Sequence, residues 1–139
     1  MKRERGSVLM LMPAGVLIVL LLGAISFDLS LVFLRQRQAS GVAVDLANDL
    51  ASAALDETAF RASGLFELDP ERAEDLAASL IENTDVAADI TALEVEVIGA
   101  DRVRVTITLW VDYVFAKAIP GADDGTTVTA RATAVATPG

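Results

Sequence analysis

The sequence predicts an α+β protein in which a long N-terminal helix and a short second helix lie against a three-stranded antiparallel sheet. Three observations predict this fold. A long uncharged run near the N-terminus passes directly into a stretch with helical periodicity. A second, shorter helical pattern begins at Pro70. From Leu93 onwards the apolar residues recur with a period of two, which is typical of β-strands that bury one face.

Residues 8–27 predict a membrane-spanning helix. They are 20 residues without a charged side chain. As a helix they would be about 30 Å long, which matches the thickness of the hydrocarbon core of a bilayer. A buried core helix in so small a chain would rarely be apolar on every face. We therefore expect a protein that crosses the cell membrane once.

The leader before this run, residues 1–7, predicts the orientation. It has a net charge of +2. Its basic residues are Lys2, Arg3 and Arg5. Since basic flanks stay in the cytoplasm, we expect a cytoplasmic N-terminus and place residues 28–139 outside the membrane.

A cleaved secretory signal is the alternative for the same run. Ala24-Ile25-Ser26 fits a small-x-small cleavage pattern. However, the run is longer than the 7–15 apolar residues of a typical signal, so a retained anchor is preferred. Asp28 is the first charged residue after the run. It could pair with a basic residue of another subunit at the membrane surface, but a simple polar stop at the lipid boundary is the preferred interpretation.

Residues 28–56 predict an amphipathic extension of the same helix. Nothing between Phe27 and Gly41 is a strong helix breaker. One continuous rod from Ser7 to Leu55 would be about 75 Å long. Its alanine-rich face suits close packing on a flat sheet. The predicted face comprises Ala39, Val42, Ala43, Leu46, Leu50, Ala53 and Ala54.

Residues 57–139 predict the extracytoplasmic α+β domain, which begins with a linker over residues 57–69. Asp69 is a good N-cap and Pro70 suits the first helical position, so a short helix begins there. The apolar residues of this helix fall three or four apart. They are Ala73, Leu76, Ala77, Leu80 and Ile81.

Two alternating segments joined by Gly99-Ala100-Asp101 predict a β-hairpin. If Val97 faces Val103, then Glu96 faces Arg104, and the register keeps apolar residues on one side and pairs opposite charges on the other. A third strand follows the loop at 118–125. We expect its inward face to carry mainly small side chains. These are Val128, Ala130, Ala132, Ala134 and Ala136.

Composition narrows the classes of function. The 139 residues contain no cysteine and no histidine, which excludes disulfides, thiolate metal sites and a Ser-His-Asp triad. Residues 28–139 hold 8 basic against 19 acidic residues, and such a surface repels nucleic acid. The pair Asp123-Asp124 lacks the alternating spacing of a calcium loop and predicts a turn. We therefore expect no catalytic, cofactor-binding or metal-binding residues and no nucleic-acid partner.

The order of these features resembles that of TadE/TadG-like proteins of the tight-adherence (Flp) pilus system and, more broadly, of type IV pilins and pseudopilins. The family pattern has Arg-Gly, an apolar run, an Asp just beyond it, then Arg and an Ala-Asp-rich helix. The matching residues here are Arg5-Gly6, Asp28, Arg35 and Val44-Asp45-Leu46-Ala47. The Thr/Val/Ala strands near the C-terminus are similar as well.

The resemblance implies a bacterial membrane protein that helps to assemble or cap a thin adhesive pilus, and that works by packing instead of catalysis. It implies a pilin-like fold. The implied partners are membrane lipid, other pilin-like subunits or assembly platform proteins, and a prepilin peptidase. In processed members that peptidase cuts after the glycine, which corresponds to the Gly6-Ser7 bond. Leu11 stands where processed pilins usually carry Glu, so an uncut, TadG-like anchor is preferred over a processed, TadE-like subunit.

Two other classes of function remain as alternatives. A generic single-pass anchored binding module would use the solvent face of the sheet, where Trp110 falls among polar residues. For Trp110 itself, covering a sheet edge is the preferred role. A membrane-tethered hydrolase would need carboxylates such as Glu94 and Glu96. These alternate on one strand face beside arginines, which predicts charge pairing instead of an acid/base pair, so this reading is the least favoured.

Overall fold

The computed structural model of the protein describes residues 4–55, 57–64 and 67–136, with the backbone alone described for 4–10 and 57–59. The chain forms three α-helices and three β-strands among these residues. In chain order they are α1 (Glu4–Ala53), α2 (Glu57–Ser63), α3 (Pro70–Ile81), β1 (Ile90–Ile98), β2 (Arg102–Asp112) and β3 (Gly125–Val135). Short 3-10 turns lie at Ala87–Asp89 and Ala116–Ala118.

Helix α1 is one continuous helix of 50 residues, which makes it about 75 Å long. The apolar run therefore passes without interruption into the amphipathic extension, as predicted, even though Pro13 lies inside the helix. Most of the predicted packing face is confirmed, because Ala39, Ala43, Leu46 and Leu50 are buried.

Near the end of that face Ala54 is buried as predicted, but Ala53 was predicted incorrectly. Ala53 is exposed, and Ala47 and Ala51 are buried in its place. The chain turns back past the end of α1 here, and the Asp69 N–H donates to the Ala54 carbonyl at 2.9 Å. The last turns of α1 consequently have a second neighbour besides the sheet, which helical periodicity could not indicate.

The predicted linker over 57–69 is only partly a linker, because it contains the seven-residue helix α2. Gly64 follows it with a φ of 70°, a left-handed conformation that suits glycine. Helix α3 begins as predicted. The Asp69 carboxylate accepts hydrogen bonds from the N–H groups of Glu71 at 3.0 Å and Arg72 at 3.3 Å.

The three strands form an antiparallel sheet in the order β1-β2-β3, so the strand in the middle is β2. The predicted hairpin register is confirmed: Val97 pairs with Val103 and Glu96 pairs with Arg104. The Arg104 guanidinium lies 3.0 Å from the Glu96 carboxylate. The connecting turn needs a residue with positive φ, and Gly99 supplies it at 68°.

One face of the sheet carries the core. Helix α1 packs across β2 and β3, and α3 packs against β1 and α1. The small inward face predicted for β3 is confirmed, with Ala132 only partly buried. Small side chains on both sides let the backbones of α1 and β3 approach closely. The result is the predicted α+β architecture, which is pilin-like in its long helix laid on a small antiparallel sheet. The buried core residues of β2 are Val103, Val105, Ile107, Leu109 and Val111.

Candidate functional site

The N-terminal half of α1 is exposed and apolar over several turns. It is long and apolar enough to cross a membrane, and only 6% of its most apolar 18-residue window is buried. The core helix of a soluble protein would bury most of such a window. A signal sequence near the N-terminus meets the same criteria of length and composition, so these criteria alone do not separate an anchor from a signal.

Asp28 is the point at which this apolar segment meets the folded domain. Its side chain is buried, with 5% exposure. The two carboxylate oxygens accept hydrogen bonds from three successive backbone N–H groups after β2. Val114 donates at 2.8 Å, Ala116 at 2.8 Å, and Phe115 to both oxygens at 3.2 Å.

The electrostatics of Asp28 favour the carboxylate. Burial alone would raise its pKa, because it removes water from the charged form. The N–H groups of Ala116, Val114 and Phe115, followed by the positive charge of Lys117, outweigh burial and lower the pKa of Asp28 below the ordinary aspartate range. The side chain therefore acts as an ionised acceptor that fixes the start of the β2–β3 loop (residues 113–124) on α1.

The β2–β3 loop lies against the apolar helix through its own apolar side chains. The rings of Phe27 and Phe115 meet edge to face, with centroids 5.4 Å apart, a favourable geometry for two aromatic rings. Beside them runs a groove of about 440 Å³ with almost entirely apolar walls. The groove reaches from Asp28 down to Leu21 on α1 and out to Ile119 on the loop.

The loop also exposes large apolar side chains. Val114 and Phe115 are each 46% exposed and Ile119 is 49% exposed. Together with the exposed apolar half of α1 they form one apolar surface at this end of the domain. An extended apolar surface of this kind is typical of an interaction site, because its exposure to water is unfavourable in free energy. We call Phe27, Asp28 and the β2–β3 loop the junction.

A second apolar surface lies on the extension of α1. Leu29 and Phe33 are each 63% exposed and Val44 is 49% exposed. At about 100° per residue these three positions fall within about 60° of one another on the helix. The middle of this set lies about 90° around the helix from Ala39 and Ala43, which pack on the sheet, and Leu29 also lines the groove at the edge of the set. We call these three residues the outer stripe.

The predicted cleavage site and the predicted membrane-boundary residue lie far apart in the structure. Gly6 and Ser7 lie in the first turns of α1, which puts them about 33 Å along the helix axis from Asp28. Lys2 and Arg3 lie outside the described residues, and so does the side chain of Arg5.

Of the residues that carry the family resemblance, Arg35 pairs within the chain. Its guanidinium lies 3.2 Å from the Asp89 carboxylate. Both side chains are more than a third exposed, so the pair contributes only about 0–1 kcal/mol. The role of Asp28 as an acceptor for a distant loop was missed, because the sequence around it resembles an ordinary polar boundary.

On the solvent face of the sheet, Trp110 contacts other residues of the same chain. Its indole N–H donates to the Asp112 carboxylate at 2.9 Å. Its ring lies so close to Gly125 of the edge strand β3 that a Cβ built there would come within 2.7 Å of the ring. Glu96 pairs with Arg104 on the same face. Among the described residues, no group of three or more carboxylates is placed to hold a metal ion.

No protein-family model, no curated protein and no solved structure matches this chain.

Proposed function

We propose that this chain is a membrane-anchored structural component of a tight-adherence (Flp, type IVc) pilus or a related secretion apparatus. It acts as a minor pilin or pseudopilin, by packing its helix and sheet against other subunits. This role requires no catalytic group. The observation that carries the proposal is the outer stripe, because it leaves large apolar side chains exposed on one flank of a long helix.

The stripe fits a neighbouring helix. Leu29 and Phe33 are one helical turn apart, which is the spacing at which a second helix packs ridges into grooves. The stripe also continues the apolar segment of α1 beyond the membrane. In a bundle of such helices, contacts between neighbouring helices would cover both the lipid-facing residues and the outer stripe. The folded domains would lie on an adjacent side of each helix.

In the proposed topology the basic leader is cytoplasmic and the sheet lies outside the membrane. The side chain at position 11 is Leu, so a freed amine at Ser7 would have no carboxylate at that position to pair with. Burying an unpaired amine is costly, and this supports an uncut anchor. The intact mass of the protein extracted from membranes tests this point: a chain that begins at Ser7 would show that Gly6-Ser7 is cleaved.

Cysteine cross-linking in native membranes tests the assembly role, because the wild-type chain contains no cysteine. Phe33→Cys should form cross-links to a second copy or to another pilin-like chain under mild oxidation or with a short bifunctional reagent. Asp45→Cys is the matched control. It is an exposed position on the same helix, about 120° away from Phe33. Equal labelling at both positions, with no cross-linked partner at Phe33, would contradict the proposal.

An anchored binding module remains the second candidate. It would use the solvent face of the sheet, and Trp110 is 39% exposed there. The contacts of Trp110 with Asp112 and Gly125 already account for its position, so no contact observed on this face requires an external ligand. If Trp110→Ala abolished a binding activity while Phe33→Cys formed no cross-links, the binding module would be the better description.

A further inference from the structure

We propose that the β2–β3 loop is a second membrane contact. In this arrangement Val114, Phe115 and Ile119 enter the interfacial layer of the bilayer beside α1, and a lipid acyl chain fills the groove between the loop and the helix. The inference rests on the membrane insertion of α1 in the proposed function, but not on any role in a pilus. It adds a lipid-binding surface to a domain that the sequence places wholly in water.

The first argument is the depth of the loop along α1. Asp28 holds the loop at the outer end of the apolar segment, through hydrogen bonds from three successive N–H groups. The groove then descends from Asp28 to Leu21, a distance of about 10 Å along a helix axis. If residues 8–27 fill the hydrocarbon core, the wall formed by Ile119 faces the outer part of that core.

The second argument is the chemistry of the loop. Val114, Phe115 and Ile119 are about half exposed, although a connecting loop in water normally presents polar side chains. Asp28 is the one polar residue of α1 in the groove lining, and its carboxylate oxygens already accept hydrogen bonds from backbone donors within the chain. The surface left free is therefore apolar, which suits acyl chains. Lys117 belongs to the same loop, and its long side chain can keep an ammonium at the level of lipid phosphates.

The third argument selects lipid over a second copy of the chain. Leu21, Ile25 and Asp28 lie on the side of α1 that also carries Ala39 and Ala43, so the groove lies directly below the folded domain. A neighbouring helix as long as α1 would collide with that domain if it were seated in the groove. A flexible acyl chain that ends at the interface would not. By contrast, Phe33 and Val44 of the outer stripe do not line the groove and are exposed, so a neighbouring helix can reach them.

Fluorescence quenching in nanodiscs that hold one copy of the full chain tests the proposal. Single cysteines are introduced by Ile119→Cys or Val114→Cys and labelled with a polarity-sensitive fluorophore. Two control variants bracket the result: Leu20→Cys lies within the apolar segment, and Thr133→Cys lies on the exposed face of the sheet. Each of the four labelled variants is measured with nitroxide-labelled lipid and, separately, with iodide in the buffer.

We expect the lipid nitroxide to quench the labels at 114 and 119, and iodide to leave them unquenched, as at Leu20. The label at Thr133 should show the reverse. If Leu20 responds to lipid but 114 and 119 respond to iodide, the loop proposal is overturned and the anchor stands. Protection from both quenchers at 119 would mean that protein covers it, which also overturns the proposal. If Leu20 itself responds to iodide, the membrane insertion of α1 fails.

Discussion

Asp28 and Ala116 lie 88 positions apart in the sequence and are joined by a 2.8 Å hydrogen bond from the Ala116 N–H to the Asp28 carboxylate. This bond, with its neighbours from Val114 and Phe115, ties the loop after the central strand to the outer end of the apolar segment. The folded domain is therefore attached to α1 at two places, by the sheet above and by the junction below.

Removing the carboxylate should release the loop without unfolding the domain. In Asp28→Ala, the three N–H groups lose their acceptor, and hydrogen exchange at Val114, Phe115 and Ala116 should become faster. Asp28→Asn is the conservative control. It keeps the shape but offers one acceptor oxygen in place of two, so its exchange rates should be intermediate. Unchanged exchange in both variants would mean that Asp28 does not hold the loop. Exchange read by mass spectrometry in detergent measures this.

The attachment of the loop to Asp28 should weaken only at strongly acidic pH. The pKa of Asp28 is lower in the folded protein than the ordinary value for aspartate. At pH values above the ordinary aspartate pKa of about 4, the ionised side chain contributes its full stabilisation. This stabilisation is lost as the pH falls through the lower pKa of the folded state. Loop protection, measured after correction for the intrinsic exchange rate, should be constant from neutral pH to about pH 5 and fall below that range. Asp28→Asn should show no such fall, because its side chain does not titrate.

The packing of α1 on the sheet predicts a large loss of stability for Leu50→Ala. Leu50 is fully buried, and such truncations cost about 2–5 kcal/mol. Leu34→Ala is the matched control, since Leu34 is on the same helix and 55% exposed. It should change the free energy of unfolding by no more than about 0.5 kcal/mol. Urea denaturation in detergent, followed by fluorescence of Trp110, the only tryptophan, measures both.

Two glycine variants should have opposite effects on stability. A Cβ at Gly125 would meet the carbonyl oxygen of Val111 and come within 2.7 Å of the Trp110 ring. Gly125→Ala should therefore cost about 1–3 kcal/mol. Gly41 is inside α1, and a Cβ there meets nothing within 4 Å, so Gly41→Ala should stabilise by about 0.5–1 kcal/mol. Thermal unfolding read by circular dichroism compares them, and a loss of stability in both variants would contradict this account.

A charge within the apolar segment should block insertion. Leu20 is 64% exposed on α1, and an aspartate near the middle of a membrane helix costs about 2.5–3.5 kcal/mol during insertion. Leu20→Asp should lower the yield of membrane-extracted protein, whereas Leu20→Ala should not. Normal membrane yield for the aspartate variant would count against a membrane-spanning role for residues 8–27.

The sequence by itself determined most of the elements that depend on neighbouring residues, although it missed α2. The period of two, together with the glycine turn at Gly99, fixed the hairpin and its register down to the pairing of Glu96 with Arg104. The alternation of small residues fixed the inward face of β3. Asp69 and Pro70 fixed the start of α3. In each case the information lies within a few residues, because strand alternation, turn geometry and helix capping are local.

Only the tertiary structure decided what α1 contacts at its middle and at its C-terminal end. The burial of Ala51 and the exposure of Ala53 depend on where the chain returns after residue 55, and the helix inside the predicted linker changes that path. The role of Asp28 depends on a loop that is remote in sequence. Charge and periodicity around Asp28 are the same whether its carboxylate meets water or three N–H groups, so no local pattern could distinguish a lipid boundary from an internal anchor.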